Sequence, residues 1–558
     1  MAPTATDPDP RRWVTLAIII ISLLIVVLDS TVLNVAIPTI LRELHTELPT
    51  LQWVLTGYSL TFATLLVIGG RLGDIYGPRR MFIIGAALFG IGSLIASEST
   101  SVGMLLLGEA VIEGIGASLM MPATLAILSN TFDGPERAKA FAVWGATAGA
   151  AVAFGPVIGG FLTTNYSWRW SFRINVIVAP LAIMGALVFM RRRVVATKRQ
   201  RIDIPGALLI ASGMFLLVFA LSEGGLYGWL RPLRDLDIGG WNAWPASRSL
   251  SAVPFIAIAA LVLLAAFLAL ESHKERTASD PLFELSQLRH LGFRYGLLTT
   301  AVLAMGQLGF LFVLPVLLQD GQHLSAIESG LWLVPSGVCI AIGAQVGGRL
   351  TRTINTTHVV RAGLALEAVG LLFIALAVSP NVTFVGLLPG LVTFGVGLGF
   401  ASSQLTNVVL SDIPKEHAGA ASGANTTVRQ IGAALGIAVI GSLLSTQMVR
   451  NATSGIRSSS LPAGVKAQAL DQLHHMGVAF TAPPGVSSAD AATLRHSIES
   501  AVAAGARPAL LFAATVVTIG AALSLLIPKI PSLGRPATST VEAFEVFEPI
   551  DVDPALID

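Results

Sequence analysis

The sequence predicts an all-α integral membrane protein with fourteen transmembrane helices, and three observations support this. The chain of 558 residues is 53% hydrophobic and only 12% charged. A soluble globular protein carries about 25% charged residues, so an ordinary cytosolic enzyme is excluded. Fourteen apolar windows recur along the chain, and the basic residues fall between them in alternation. The formal net charge is only +2 and no basic face stands out, which excludes a nucleic-acid-binding protein.

The apolar windows have the length of membrane helices, which need roughly 20 apolar residues each. Fourteen such helices would use about 280 residues, close to the hydrophobic half of the chain. The second and seventh windows are the weakest, since both contain several polar residues or glycines. The first is too long for a signal-peptide core, so we interpret it as the first membrane helix. The windows are 13–41, 52–70, 81–98, 103–129, 138–163, 168–190, 203–222, 252–270, 291–318, 326–349, 359–378, 382–410, 427–448 and 503–527.

The distribution of Lys and Arg predicts how the helices are oriented. If the N-terminus is cytoplasmic and the helices alternate, most of the 35 basic residues fall on the cytoplasmic side. We therefore expect a multi-pass protein of the plasma membrane with both termini cytoplasmic. Residues 1–12 would form the cytoplasmic N-terminus, and 528–558 an acidic cytoplasmic tail.

A short internal sequence repeat predicts two related halves. The tripeptide Gly-Arg-Leu follows the second window at 70–72 and the tenth window at 348–350. Internal repeats of this kind are typical of secondary transporters, whose substrate site lies at the interface of the repeats. The predicted organisation is a six-helix half at 13–190, two inserted helices at 203–270, and a second six-helix half at 291–527 with a long outside loop at 449–502.

Three segments carry recognisable residue patterns. The loop at 70–80 reads Gly-Arg-Leu-Gly-Asp-Ile-Tyr-Gly-Pro-Arg-Arg, in which glycines permit a sharp turn and the arginines hold the loop at the cytoplasmic face. The fifth window carries Gly155-Pro156 and Gly159-Gly160, which allow close helix packing and a bend. The first window ends in Leu-Asp-Ser-Thr-Val-Leu-Asn-Val-Ala-Ile-Pro at 28–38.

Together these segments resemble the major facilitator superfamily, and 28–38 is similar to the first-helix signature of its 14-helix drug:proton antiporter branch. The resemblance covers roughly 10–530 and implies a major-facilitator fold. The loop departs from the family pattern at Ile75, where an arginine is usual. The resemblance implies a conformational-switch loop with Gly70, Asp74, Gly77, Arg79 and Arg80. It also implies an antiporter helix with Gly155, Pro156, Gly159 and Gly160.

Acidic residues inside predicted membrane helices are costly and usually line a cavity or are paired. Asp29 lies in the first helix, and Glu109 and Glu113, four residues apart in the fourth, share one helical face. Two like charges so close in a low dielectric should not both ionise. We therefore predict that Asp29, Glu109 and Glu113 are the proton-coupling residues. A structural role for each stays open, as does an ion pair between Glu109 and Arg173.

The fourth helix departs from the family pattern. The resembling family normally carries an arginine there, and counting back from Gly114 places Ala110 at that position. Polar, aromatic and methionine side chains in other helices are expected to line a substrate cavity, although packing roles stay open for them. These expected cavity residues are Asn34, Met120, Phe154, Gln307, Phe310 and Glu367.

The leading hypothesis is a proton-coupled secondary active exporter of lipophilic or cationic drugs that works by alternating access. Because no nucleotide-binding loop, catalytic constellation or metal-ligand cluster is recognisable, we expect no enzyme activity, no cofactor and no metal. The expected partners are a small-molecule substrate, protons and membrane lipids, but no nucleic acid. The alternatives are a dedicated exporter or importer of one metabolite, such as an amino acid, a lipid or a natural product, and a non-transporting membrane receptor or scaffold.

Overall fold

The computed structural model describes nearly all of the helical part of the chain. The predicted cytoplasmic N-terminus up to residue 9 and the acidic tail from 529 lie outside the described residues. The described residues are 10–132, 134–190, 203–238, 241–277, 281, 285–351, 353–413, 418–476 and 486–528.

The first group of helices follows the first six apolar windows. It consists of α1 (Arg12–Leu44), α2 (Leu48–Tyr76), α3 (Pro78–Ser97), α4 (Val102–Leu105), α5 (Gly114–Thr131), α6 (Gly134–Asn165) and α7 (Trp170–Phe189). The short α4 continues through a π-helical segment, Leu106–Glu113, directly into α5. The fourth window therefore forms one continuous helix.

The two inserted helices are α8 (Ile204–Tyr227) and α9 (Val253–Arg276). Between them β1 (Leu236–Ile238) and β2 (Trp241–Trp244) pair as an antiparallel hairpin. The sequence predicted only a loop here. In the described part of the chain this hairpin is the one departure from an all-helical structure.

The second group follows the last six windows. It consists of α10 (Leu291–Val316), α11 (Ala326–Leu350), α12 (Thr356–Ala377), α13 (Phe384–Leu410), α14 (Ala418–Ser458), α15 (Ala463–Met476) and α16 (Ser488–Ser524). A 3₁₀ segment, Leu285–Arg289, precedes α10, and a π-helical segment, Leu317–Gly321, extends it. The loop predicted at 449–502 is shorter than expected because α14 continues to Ser458, an alanine-rich start extends α16 back to Ser488, and α15 lies between them.

Every predicted window thus coincides with a long helix, and the predicted all-α membrane architecture is confirmed. Among the described residues, twelve helical segments are long and apolar enough to cross a membrane. The other two, α2 and α6, have 29 and 32 residues but carry more polar residues and glycines. Both are packed between other helices, α2 against α5 and α14, and α6 against α1 and α11.

Local signals fix several helix ends. α2 ends at Gly77, whose φ of 94° few other residues adopt. α8 begins after Asp203, whose carboxylate accepts a hydrogen bond of 2.8 Å from the backbone N–H of Gly206. α11 begins with a capping box between Ser325 and Glu328.

Glycines set the closest contacts inside each group. A Cβ added at Gly85 of α3 would lie 2.7 Å from the carbonyl oxygen of Gly116 in α5. The same contact recurs in the second group, where a Cβ at Gly363 of α12 would lie 2.7 Å from the carbonyl oxygen of Gly397 in α13. The two groups therefore repeat one helix contact in detail. Large apolar side chains on α7, α8 and α9 point outward, as expected of a surface in contact with lipid.

Candidate functional site

Three carboxyl groups meet inside the first group of helices. Asp29 comes from the middle of α1, and Glu109 and Glu113 come from the π-helical segment between α4 and α5. One oxygen of each lies within 4.8 Å of the others, and the three residues are 3%, 0% and 0% exposed. The sequence predicted the pairing of the two glutamates from their spacing. The structure adds Asp29 to the same cluster.

The π-helical segment Leu106–Glu113 carries one extra residue. Gly108 and Gly116 pack against glycines of α3 and are eight residues apart. In the second group Gly390 and Gly397 make the matching contacts with α12 and are seven residues apart. A π-helical turn inserts one residue into an α-helix in this way, and such turns are frequent at functional sites.

This insertion corrects the register assumed from the sequence. Counting back from Gly114 in α-helical register places Ala110 at the position where the family carries an arginine. In the structure Glu109, one residue earlier, is the side chain that faces Asp29. Ala110 instead packs against α2, where a Cβ added at Gly57 would lie 2.8 Å from the Ala110 Cβ.

Polar groups surround the carboxyl cluster, but basic groups do not. Asn175 of α7 donates a hydrogen bond of 2.9 Å from its Nδ2 to Oδ1 of Asp29. Tyr58 of α2 is 2% exposed and lies within electrostatic range of all three carboxyls. Among the described residues no lysine or arginine pairs with the cluster; the three carboxyls face one another, and the Ser93 hydroxyl of α3 faces Glu113. Three carboxylates this close repel one another unless protons or a cation neutralise them.

The same oxygens could also hold a metal ion or Na⁺. Carboxylate oxygens are hard ligands, and three of them are close enough here to share one cation. The sequence predicted no metal site because its ligands come from helices far apart in the chain. Protons and a cation are therefore the two chemistries that the geometry admits.

Arg173 is placed differently from the prediction. Its Nη2 donates a hydrogen bond of 3.0 Å to Oε1 of Glu98, and its guanidinium lies 5.7 Å from the ring centroid of Trp170. The ion pair with Glu109 that the sequence left open does not form. The reason is depth: Arg173 lies in the first turn of α7, level with the end of α3, whereas Glu109 is buried deeper in the bundle.

The residues expected to line a substrate cavity are scattered. Gln307 and Phe310 of α10 border a small cavity between α6, α10, α11 and α13, and Phe310 packs 4.2 Å from the ring of Phe394. That cavity holds only about 10 Å³, whereas drug-sized ligands occupy pockets of about 300–1,000 Å³. In this conformation these two side chains therefore border a closed contact between the helix groups.

The other four expected cavity residues lie elsewhere. Met120 is fully buried in the apolar core of the first group, Asn34 is 1% exposed in α1, and Phe154 is 53% exposed on α6. Glu367 of α12 is fully buried beside α10, where a Cβ added at Gly306 would lie 3.2 Å from its Oε1. The structure does not bring these residues together, because each sits on a different helix face.

Comparisons with known proteins identify the family. The family model of the Major Facilitator Superfamily matches residues 19–437. The chain belongs to this superfamily. It is a transporter with many membrane-spanning helices, as its family and the twelve apolar spans among its described residues show.

Two curated relatives and one solved structure illustrate the likeness. The chain is 33% identical to the probable actinorhodin transporter of Streptomyces coelicolor, over 84% of this chain and 80% of that protein. It is 34% identical to the puromycin resistance protein pur8 of Streptomyces alboniger, over 78% of this chain and 82% of that protein. A bacterial homologue of the human lysosomal transporter Spinster has the same fold, with a TM-score of 0.59, 14% identity, and coverage of 93% of this chain and 98% of that chain.

The loop that resembles the major-facilitator signature is anchored within its own group. Arg79 donates hydrogen bonds of 2.9 and 2.6 Å to the carbonyl oxygens of Ala186 and Leu187, which end α7. Arg80 is exposed. A Cβ added at Gly70 would lie 3.8 Å from Pro122 of α5. The side chain of Asp74 lies outside the described residues, so the predicted switch role of this loop stays a prediction.

The helix that resembles the antiporter motif connects the two groups of this major-facilitator chain. A Cβ added at Gly159 of α6 would lie 2.6 Å from the carbonyl oxygen of Val32, so α6 touches α1. A Cβ added at Gly160 would lie 2.8 Å from Cα of Ile327, so the opposite face touches α11. Gly155 also packs against α1, and Pro156 against α11. These small residues permit both close contacts.

Further contacts join the groups at the predicted extracellular end. Gln319 donates a hydrogen bond of 2.7 Å from Nε2 to the carbonyl oxygen of Val35, and Arg42 lies 3.3 Å from Asp320. The backbone N–H of Ile327 donates to Oγ1 of Thr164 at 3.0 Å. The bundle is thus held together at this end.

Sequence reasoning missed Asn175 as a site residue. The available signal was a single amide in α7, the sixth apolar window, in the run Ile-Asn-Val at 174–176. An amide buried in an apolar helix needs a partner. The sequence could therefore have marked Asn175 as facing another polar group, although not which one.

Proposed function

We propose that this protein is a proton-coupled secondary active exporter of lipophilic or cationic drugs that works by alternating access. It would reside in the plasma membrane with both termini cytoplasmic. The observation that carries the proposal is the buried cluster of Asp29, Glu109 and Glu113, which has no basic partner among the described residues.

The first step is proton binding. Two unit charges 4.8 Å apart repel by about 3.5 kcal/mol at an effective dielectric constant of 20, and three charges contain three such pairs. The cluster relieves this repulsion by taking up protons. Asn175 holds one oxygen of Asp29 through its amide N–H, which leaves the other oxygen to the proton.

The second step links proton binding to the contact between the helix groups. Thr31 and Val32 follow Asp29 within one turn of α1, and both touch the glycines of α6. The other face of α6 touches α11 of the second group. These contacts connect Asp29 to the interface between the two helix groups. A change in the charge or position of Asp29 therefore acts on the interface that must open in alternating access. Coupling requires the proton and the drug to favour different states.

The second helix group serves as an internal comparison. Gly92 of α3 and Gly370 of α12 occupy matching positions. Glu113 packs on Gly92 as Phe394 of α13 packs on Gly370, so Glu113 matches Phe394. Phe394 packs on Phe310 in an apolar setting. The repeated fold therefore forms without acids at the Glu113 position, which favours a functional reason for the carboxyl cluster over a structural one.

The test is dye transport by purified protein in liposomes under an imposed pH gradient. Wild type would accumulate several unrelated cationic dyes, and Asp29→Asn and Glu113→Gln would abolish accumulation. Glu367→Gln is the matched control, since it also removes a buried carboxyl but outside the cluster. Accumulation that survives both cluster substitutions would contradict the assignment of the proton site. Accumulation driven by a Na⁺ gradient instead would assign the cluster to sodium.

A second candidate is an exporter dedicated to one compound, a natural product. The two curated relatives named above carry the names of single antibiotics, actinorhodin and puromycin. Competition separates the candidates: unrelated compounds compete for a multidrug exporter but not for a dedicated one. Gradient-driven flux of any compound would exclude the non-transporting receptor or scaffold.

A further inference from the structure

A second cavity lies away from the carboxyl cluster, at the predicted extracellular end. It holds about 450 Å³ and opens between the turn that joins α1 to α2 and the last two turns of α8. This volume is within the range of pockets for small molecules. It is lined by His45, Thr46, Glu47, Thr50, Trp53, Phe219, Glu223, Tyr227 and Arg234.

One wall of the cavity is aromatic. The ring of Trp53 lies 5.8 Å from that of Phe219, at an interplanar angle of 36°. Phe219 in turn stacks on Tyr227, with centroids 6.3 Å apart and an angle of 18°. Neighbouring rings arranged in this way present π faces to which planar aromatic molecules and cations bind.

The cavity also contains an acidic group whose position is fixed by a hydrogen bond. Glu223 is 5% exposed, and its Oε1 accepts a hydrogen bond of 2.6 Å from Nε1 of Trp53. The other carboxylate, Glu47, lies 3.5 Å from Nη2 of Arg234. Two carboxylates and one guanidinium leave a formal excess of one negative charge in the cavity, and Glu223 is the carboxylate beside the aromatic wall.

We infer that this cavity is an extracellular binding site for an aromatic organic cation, whose positive charge pairs with Glu223 while its ring packs on Trp53 and Phe219. Three of the lining residues, Phe219, Glu223 and Tyr227, belong to α8. The site therefore gives α8, the first of the two inserted helices, a role in ligand recognition. It is separate from the carboxyl cluster and does not depend on proton coupling.

The test uses the full-length protein in lipid nanodiscs without a pH gradient, and ethidium as the probe. Binding is followed by energy transfer from tryptophan, on an Asp29→Asn background so that the proposed proton site is disabled. Glu223→Gln keeps an acceptor for Trp53 but removes the charge. We expect ethidium affinity to fall about tenfold or more, the loss typical of a hydrogen-bonded charged group. A neutral aromatic probe of the same shape should bind both proteins equally.

Two further variants make the result decisive. Phe219→Leu leaves the charge and removes a ring, so it should weaken ethidium binding even if Glu223→Gln fails to fold. Glu98→Gln, which removes an exposed acid at the same end, is the matched control and should bind as the parent does. Unchanged ethidium affinity in both cavity variants would overturn the inference. An equal loss in Glu98→Gln would also overturn it, since it would reveal general surface attraction.

Discussion

Removing one carboxyl from the buried cluster should stabilise the folded protein while abolishing transport. Glu109→Gln is nearly isosteric and leaves two carboxyls within 4.8 Å of each other. Each pair of ionised groups at that distance costs about 3.5 kcal/mol at an effective dielectric constant of 20. Glu109 takes part in two of the three pairs, and protons held by the cluster lessen the repulsion, so the expected gain in the free energy of unfolding lies between zero and about 7 kcal/mol. Residues kept for function at a cost in stability behave in this way.

The sign of the pH dependence follows from the same repulsion. At low pH all three carboxyls are protonated, no like charges meet, and Glu109→Gln should be as stable as wild type. As the pH rises, the wild-type cluster ionises and the variant gains its advantage. The assay is denaturant or thermal unfolding of detergent-solubilised protein at about pH 5 and pH 8. The gain at the higher pH is the quantity to be measured.

A matched substitution tests whether removing any buried carboxyl would have the same effect on stability. Glu367→Gln also removes a fully buried carboxyl, but no second carboxyl lies beside it in the part of the chain that the structure describes. It should therefore gain less than Glu109→Gln. Lower stability of Glu109→Gln at both pH values would refute the reasoning, because it would show that the glutamate supports the fold.

Three other substitutions probe separate parts of the structure. Gly159→Ala adds a Cβ 2.6 Å from an α1 carbonyl oxygen and should slow dye transport more than tenfold. Gly103→Ala, which has open space around it, should not slow transport. The initial rates of dye transport by the two variants test this. Burial raises the pKa of Asp203, but its hydrogen bonds, among them that from Lys274, outweigh this and leave the pKa below its ordinary value. Asp203→Asn should therefore cost about 1 kcal/mol of unfolding free energy at neutral pH, a cost that disappears as the pH falls below the usual aspartate range and that an unfolding series would reveal. Arg173→Gln removes an exposed ion pair with Glu98 and the contact with the Trp170 ring, so it should cost about 1 kcal/mol and keep transport; complete loss of transport would contradict this reading of Arg173.

The helices were largely predictable because a membrane helix is a local structure. Its backbone polar groups must be satisfied within the segment, so length and hydropathy alone locate it. The hairpin of β1 and β2 and the helix α15 were not predicted, because short elements in polar loops depend on what they pack against. The end of α14 was misplaced for a related reason: its last turns, up to Ser458, are polar and continue beyond the apolar window.

The site was predictable only where its residues share a helix. Spacing four residues apart placed Glu109 beside Glu113, although the π-helical turn that sets their register left no clear signal in the sequence. Asp29 and Asn175 come from helices distant in the chain, so their meeting with the glutamates is a fact of packing. For the same reason the sequence did not predict the partner of Arg173, which depends on how deep this residue lies in the bundle.

The sequence by itself determined that this chain crosses a membrane many times, where its helices lie, and which acids are buried in them. It did so because hydropathy and helical period are properties of neighbouring residues. Only the tertiary structure decided which buried acids meet, which glycines join the two helix groups, and that an aromatic cavity with an acidic residue forms beside α8. Those outcomes depend on contacts between segments up to hundreds of residues apart, and no local pattern encodes them.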